Sequence, residues 1–317
     1  MPEGKKIRIP AIVGPTASGK SALAVNIAER YSGEVVSCDS MQIYRTMDIG
    51  TAKPSAAEMR GVPHHMIDIA EPFEDFSVAD YVQMAERAVC DILSRGRLPV
   101  LCGGTGLYLD SFLRGGFEPA DTDPLLRERL RREAETCGNE ALHARLSAID
   151  PEGAAAIHPN NIRRVIRALE IYELTGKTKS EQDRLSRGAC SRYDPVIIGL
   201  RFSDRAKLYR RIDTRVDRML AEGLLEETER LWRAGVFDRS RTAAQAIGYK
   251  ELLGYLRGEV TLDEAVEKLK QSTRRYAKRQ LTWFRANPDI NWIEADGKTG
   301  DEIADEAALI WERACKT

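Results

Sequence analysis

The eight residues Gly14-Pro15-Thr16-Ala17-Ser18-Gly19-Lys20-Ser21 have the spacing G-x-x-x-x-G-K-[ST] of a phosphate-binding loop. Its glycines let the backbone curl so that successive N–H groups face inward, where phosphate oxygens accept from them. A helix opening at the end of the loop adds the favourable potential of its N-terminus. Lys20 supplies a point charge, and the Ser21 hydroxyl is suited to hold Mg²⁺. The expected ligand is a nucleotide such as ATP, or another diphosphate. A phosphohydrolase of this type also needs an aspartate at the end of a neighbouring strand to help hold the metal. Here the apolar run Leu98–Cys102 ends in Gly103-Gly104-Thr105-Gly106, and no water-orienting glutamine or arginine finger stands out. The loop is therefore expected to bind a diphosphate without cutting a γ-phosphate.

Other residues stand where such chemistry needs them. Asp39 follows the run Glu34–Cys38, at the C-terminal end of what reads as the second strand. In open parallel sheets the ligand crevice lies outside those ends, and a carboxylate there accepts a proton or orients a nucleophile. The alternative is a cap or turn residue, a role that suits both Asp39 and Ser40. Thr105 sits at the next strand end, or simply caps the helix beginning near Leu107. Arg211, Arg215 and Arg218 share a helix face at spacings of four and three. They either neutralise a diphosphate or a phosphate backbone, or form a solvated face paired with Asp213 and Asp217. Arg274 with Lys278 and Arg275 with Arg279 make two adjacent stripes with no acid among them, which repel unless an anion is present. The interleaved Tyr276, Trp283 and Phe284 read as core contacts of an amphipathic helix rather than as base-stacking groups. His64 and His65 read as a structural pair in a loop after Pro63.

The elements that position these residues follow from periodicity. Ile7–Val13 reads as a buried strand stopped by Gly14, Ser21–Tyr31 as a helix, Glu34–Cys38 as a strand and Ser77–Ser94 as a helix. Leu98–Cys102 and Pro195–Leu200 read as further strands. Strands alternating with helices place the chain in the α/β class, as a parallel sheet flanked by helices of the P-loop nucleoside triphosphate hydrolase type. Between Gly116 and Cys190 no strand pattern appears. Pro124–Cys137, Glu140–Ile149 and Asn161–Thr175 read as helices there. This predicts an inserted all-helical subdomain, residues 119–190, within a P-loop catalytic core formed by 1–118 and 191–317. Later helices run from near Ser203 to Gly223, and from Thr261 to about Arg285, with Thr261 and Glu264 making a capping box.

Composition excludes several classes. A chain of 317 residues with 43% hydrophobic and 31% charged content is an ordinary globular protein. It has no apolar run long enough to cross a membrane and no apolar segment near its start that would direct secretion. None of its six cysteines sits in a CxxC pair, so neither a zinc site nor a redox motif is expected. Cys38 and Cys102 lie in apolar runs and read as buried thiols, which fits the cytoplasm. The net charge of −1 hides an asymmetry: seven bases and no acid from Lys268 to Arg285, then eight acids against three bases. A polyanion responds to the local basic segment, not to the total.

Five ordered segments resemble the tRNA dimethylallyltransferases, also called tRNA isopentenyltransferases: GPTASGKS at 14–21, DSMQIYRTMDIGTAKP at 39–54, GGTGLY at 103–108, VIRALEIYELTGK at 165–177 and RRYAKRQLTWFR at 274–285. The first is generic, whereas the second and last are specific to that family. The resemblance is to the bacterial members, without the zinc-finger extension of the eukaryotic ones. It implies that dimethylallyl diphosphate replaces a nucleotide in the loop. The exocyclic amine of the adenine 3′ to the anticodon then attacks the allylic carbon, and diphosphate leaves. Asp39 would be the base or orienter of that amine. Lys20, Ser21, Thr105 and Arg215 would stabilise the leaving diphosphate together with Mg²⁺. Ser40, Met41 and Gln42 would contact an adenine extruded from its stack. The inserted helices would grip the anticodon stem-loop, with Arg127, Arg163, Arg164 and Arg167 at family positions for tRNA contact. Residues 121–190 carry twelve bases and twelve acids, so the grip would come from shape and a few placed arginines. His158-Pro159-Asn160-Asn161 departs from the Gln-Arg of some members at the start of that helix. No membrane or obligate protein partner is implied, and a monomer is expected.

Three other functions fit parts of the sequence. An isopentenyltransferase acting on free adenine nucleotide would need neither the inserted helices nor the basic helix. A small-metabolite P-loop kinase would turn over ATP. A non-catalytic RNA-binding protein would have no use for the loop beside Asp39.

Overall fold

The apolar run Ile7–Val13 forms β1, buried from Ile9 onward, and takes the interior of a parallel sheet. In the computed structural model, which describes residues 6–115, 122–188, 191–240 and 242–316, β1 pairs with β4 (Leu98–Gly103) on one side and β5 (Tyr193–Arg201) on the other. β2 (Gly33–Ser37) lies beyond β4, and β3 (His64–His65) and β6 (Asn291–Glu294) form the edges, in the order β3-β2-β4-β1-β5-β6. This order sets β4 between β2 and β1. The phosphate-binding loop, Asp39 and Thr105 follow these three strands at one end of the sheet, where such folds hold their ligands.

Helices α1 (Lys20–Arg30), α2 (Ala56–Met59), α3 (Val78–Ser94) and α4 (Gly106–Arg114) come before a helical segment. That segment contains α5 (Pro124–Cys137), α6 (Asn139–Ile149), α7 (Pro151–Ala155), α8 (Ile162–Thr175) and α9 (Lys179–Gly188). After it come α10 (Arg205–Ala221), α11 (Leu224–Arg233), α12 (Val236–Arg239), α13 (Tyr249–Leu256), α14 (Leu262–Arg285) and α15 (Gly300–Lys316). Side chains alternate across β1. Ile9, Ala11 and Val13 pack with Tyr81, Ala85 and Val89 of α3, whereas Ile12 packs with Leu23 and Ile27 of α1 and Trp311 of α15. A third cluster joins Tyr44 and Met47 to Leu231, Tyr249, Leu252 and Leu269, on α11, α13 and α14. The capping box expected at Thr261 and Glu264 starts α14. No helix among the described residues is long and apolar enough to cross a membrane.

The structure corrects the placement of His64 and His65. They are not in a loop but form the edge strand β3, in register with Val35 and Val36. His65 Nε2 lies 2.7 Å from Glu34 Oε2, and Arg95 Nη2 donates to the same oxygen at 2.8 Å. Glu34 is buried, and Arg95, with His65 assisting, holds its carboxyl at about 2 against an ordinary 4.5.

The chain divides into two compact units, Met1–Leu113 with Arg192–Thr317, and Arg114–Ser191. Residues 116–121, 189 and 190, including Cys190 and the start of the expected 119–190 segment, lie outside the described residues. The second unit is helical in all its described elements and has its own core of Leu126, Leu130, Leu142, Leu146, Val165 and Leu169. Its two chain ends are neighbours: a Cβ on Gly115 would stand 3.7 Å from the Cα of Ser191. Glu170 is fully buried in this unit. It accepts from Asp123 N at 2.9 Å, Arg127 Nε at 2.8 Å and Arg167 Nη1 at 2.6 Å.

Candidate active site

The loop from Gly14 to Gly19 leaves β1 and enters α1 with Ala17 at φ 62° and Gly19 at φ 94°. Left-handed residues interleaved with ordinary ones gather successive N–H groups into a concavity for an anion. Ala17 holds this conformation without being glycine, and its carbonyl accepts from Arg211 Nε at 2.8 Å. Helix α1 starts with no side-chain cap and no acid in its first turn, so its positive end faces the loop unopposed. Ser18 Oγ is buried without a hydrogen-bond partner, and an anion would satisfy it.

The cations here are crowded. Burial lowers the Lys20 ammonium, and Arg215 lowers it further against the opposing effects of Cys102 and Asp39. Burial likewise lowers the Arg215 guanidinium, with Arg218 adding to it. Two desolvated cations near one carboxylate are poor energetics for the protein alone and good energetics for a bound diphosphate. Arg210, Arg211, Arg215 and Arg218 of α10, with Lys20 and Ser21, line a cavity of about 1460 Å³. Asp213 and Asp217 do not pair with these arginines, as a solvated face would require. Asp213 bonds Arg274 at 2.7 Å and Asp217 bonds Lys270 at 2.6 Å, both on α14.

Asp39 takes the turn role offered by the sequence and leaves one carboxylate oxygen unengaged. Its Oδ1 accepts from Met41 N at 2.9 Å and Gln42 N at 3.4 Å, which fixes the turn after β2. Its Oδ2 makes no hydrogen bond among the described residues. Thr105 Oγ1 accepts from Ser40 N at 3.1 Å, and Thr105 N donates to Cys38 O at 3.1 Å, so the turns after β2 and β4 are tied together. The absence of an aspartate at the end of β4 has a steric cause. A Cβ on Gly103 would stand 2.2 Å from Cys38 O, so no carboxylate side chain fits there.

Lys20, Ser21, Asp39 and Gln42 also border a niche of about 20 Å³, the size of one water. Among the described residues no three His, Cys, Asp or Glu side chains gather as a metal cage. One hydroxyl and one carboxylate suit Mg²⁺, which keeps waters and takes its other ligands from substrate phosphates.

Several expected contact residues are engaged within the chain. The Gln42 amide donates to Ala52 O at 3.1 Å and accepts from Ser37 Oγ at 3.2 Å. It therefore braces the segment that contains the GTAKP motif. Buried Glu227 holds the start of that segment, accepting from Asp48 N, Ile49 N and Gly50 N at 3.0–3.1 Å and from Tyr249 Oη at 2.7 Å. Sequence reasoning missed Glu227. Arg274 bonds Asp213 of α10 and Glu267 of α14, which stands one residue before the acid-free run, so its charge is answered both across space and along its own helix. Arg127 and Arg167 close on Glu170. Lys278, Arg279, Arg163 and Arg164 are exposed, while Ser40 and Met41 are half-buried. Gln280, also missed, is buried between the phosphate-binding loop and the turn after β4.

The IPP transferase family model matches residues 42–287, downstream of the phosphate-binding loop, so the two signals are independent. A tRNA dimethylallyltransferase of Caldanaerobacter subterraneus subsp. tengcongensis is 51% identical over 300 residues, covering 94% of this chain and 95% of that protein. One of Halalkalibacterium halodurans is 53% identical over 292 residues, covering 91% of each. Among solved structures, the full-length tRNA isopentenylpyrophosphate transferase of Bacillus halodurans aligns with a TM-score of 0.72 at 48% identity, covering 98% of this chain and 99% of that one. A eukaryotic dimethylallyltransferase acting on tRNA aligns with a TM-score of 0.81 at 31% identity, covering 96% of this chain and 78% of that one. The chain belongs to the IPP transferase family, the family of the tRNA dimethylallyltransferases.

Proposed function

We propose that this chain transfers the dimethylallyl group of dimethylallyl diphosphate to the exocyclic amine of the adenine 3′ to the anticodon in tRNA. The nitrogen lone pair forms a bond to the allylic carbon as the carbon–oxygen bond breaks, its electrons leaving with diphosphate. Asp39 orients the amine and takes its proton. Lys20, Arg215, Thr105 and the loop N–H groups hold the charge that develops on the leaving group, which is where preorganised donors contribute most. Mg²⁺ held by Ser21 would supply further electrostatic stabilisation of that diphosphate. Arg163 and Arg164 of the helical unit, with Lys278 and Arg279 of α14, contact RNA phosphates. The chain acts in the cytoplasm as a monomer.

The observation that carries this reading is an intact anion cradle beside a strand end, at Gly103, with no room for the carboxylate that phosphoryl transfer requires. The test mixes protein, Mg²⁺ and radiolabelled dimethylallyl diphosphate with an anticodon stem-loop RNA. Parallel mixtures carry guanine at the target position, or free AMP instead of RNA. Label on the adenine RNA alone is expected. Label on AMP, or none anywhere, would overturn the reading.

A further inference from the structure

We propose that Gln280 is a positioning residue that clamps the phosphate-binding loop to the turn after β4, so that the helix carrying the RNA-facing cations also holds the diphosphate cradle in shape. This rests on the functional reading above. Gln280 is 5% exposed. Its Oε1 accepts from Thr16 N at 2.8 Å, and its Nε2 donates to Gly104 O at 3.0 Å. The first partner lies inside the phosphate-binding loop, and the second immediately precedes Thr105. A side-chain amide offers one acceptor and one donor at fixed spacing, so a single group serves both turns. Room for it exists because residue 104 is glycine: a Cβ there would stand 2.1 Å from Gln280 Nε2. Tyr276 lies one turn earlier on α14, and the intervening Lys278 and Arg279 are exposed. Gln280 holds its place in the chemistry through Thr16 and Gly104, acting on the cradle rather than on the reacting atoms.

Replacing a merely structural glutamine would lower stability and leave the transfer rate of the folded protein unchanged, so the discriminating readout is that rate. A clamp predicts a pH signature. In Gln280→Glu the ionised carboxylate still accepts from Thr16 N but repels Gly104 O, whereas the protonated carboxyl restores both bonds. Burial raises a carboxyl pKa, so protonation falls within a workable range. Single-turnover transfer by Gln280→Glu is expected about 100-fold below wild type near pH 8, recovering about tenfold relative to wild type toward pH 5.5, with stem-loop affinity within about twofold. Gly104→Ala displaces the amide from the other side. It is expected to slow transfer comparably without the acid recovery, and the double variant should be no slower than the slower single. A flat rate ratio across pH, or effects that multiply in the double variant, would overturn the clamp. If Gln280→Glu melts far below wild type, Gly104→Ala carries the test through the rate loss. Wild-type protein that labels no RNA would instead sink the functional reading. The clamp would then be judged by inorganic pyrophosphate binding, expected about tenfold weaker in Gln280→Met and overturned by equal binding.

Discussion

Arg127 and Arg167 of the helical unit close on one buried carboxylate, Glu170, whereas Arg215 of the core has no carboxylate at ion-pair distance among the described residues. All three arginines are half-buried. What differs is whether the fold supplies the counter-charge. Where it does, the arginine is part of the core's own polar network, as Arg95 is on Glu34. Where it does not, a partly desolvated cation is left for a ligand to neutralise. Residue type and family position assign all of these arginines alike to anion binding, and the acid opposite each one separates them.

The largest expected effect falls on the arginine without an acid. Arg215→Ala should lower the turnover of prenyl transfer by about 1000-fold, the scale of losing one preorganised charge-stabilising group. Its melting temperature should not fall, since a crowded cation is removed. A drop in melting temperature with turnover intact would erase the contrast. Next comes the paired set. Glu170→Ala leaves two arginines around an uncharged hole and should lower unfolding free energy by about 3–5 kcal/mol in denaturant titration. The core counterpart is read by acid. Because the folded-state pKa of Glu34 is depressed, its stabilisation is fully present above pH 4.5 and is lost as pH falls toward about 2. The loss should reach at most about 3 kcal/mol, and Glu34→Gln should flatten that part of the stability–pH curve. The smallest effect belongs to exposed cations. Arg163→Ala with Arg164→Ala should weaken stem-loop binding by about tenfold and reduce the salt dependence by about two phosphate contacts, with no change in melting. If Arg127→Ala did the same without losing stability, the division between paired and free arginines would fail.

Local signals in the sequence identified much of the scaffold. β1, the phosphate-binding loop and α14 are announced by an apolar run, a fixed glycine spacing and a capping box, all of which lie within a few residues of the element they define. The edges were harder. β3 has two residues and β6 four, too few for alternation to register, and His64–His65 looked like loop for that reason. The site divides the same way. Asp39 and Thr105 are found by following strands to their ends. Gln280 bonds a residue 264 positions away, and Glu227 bonds a turn 177 to 179 positions away, so nothing near either residue points to its role. Asp217, which takes Lys270 out of the basic stripe, and Asp213, which shares Arg274 with Glu267 of α14, come from α10, a neighbour in space rather than along the chain.

The adjacency of Gly115 and Ser191 bears on how such a chain can change over evolutionary time. To the rest of the backbone, a long excursion whose ends meet is equivalent to a tight turn. The entropy of closing it grows only with the logarithm of its length. Segments can lengthen, shorten or be exchanged between those two positions with almost no thermodynamic consequence for the sheet. Selection on the helical unit can therefore proceed separately from selection on the core.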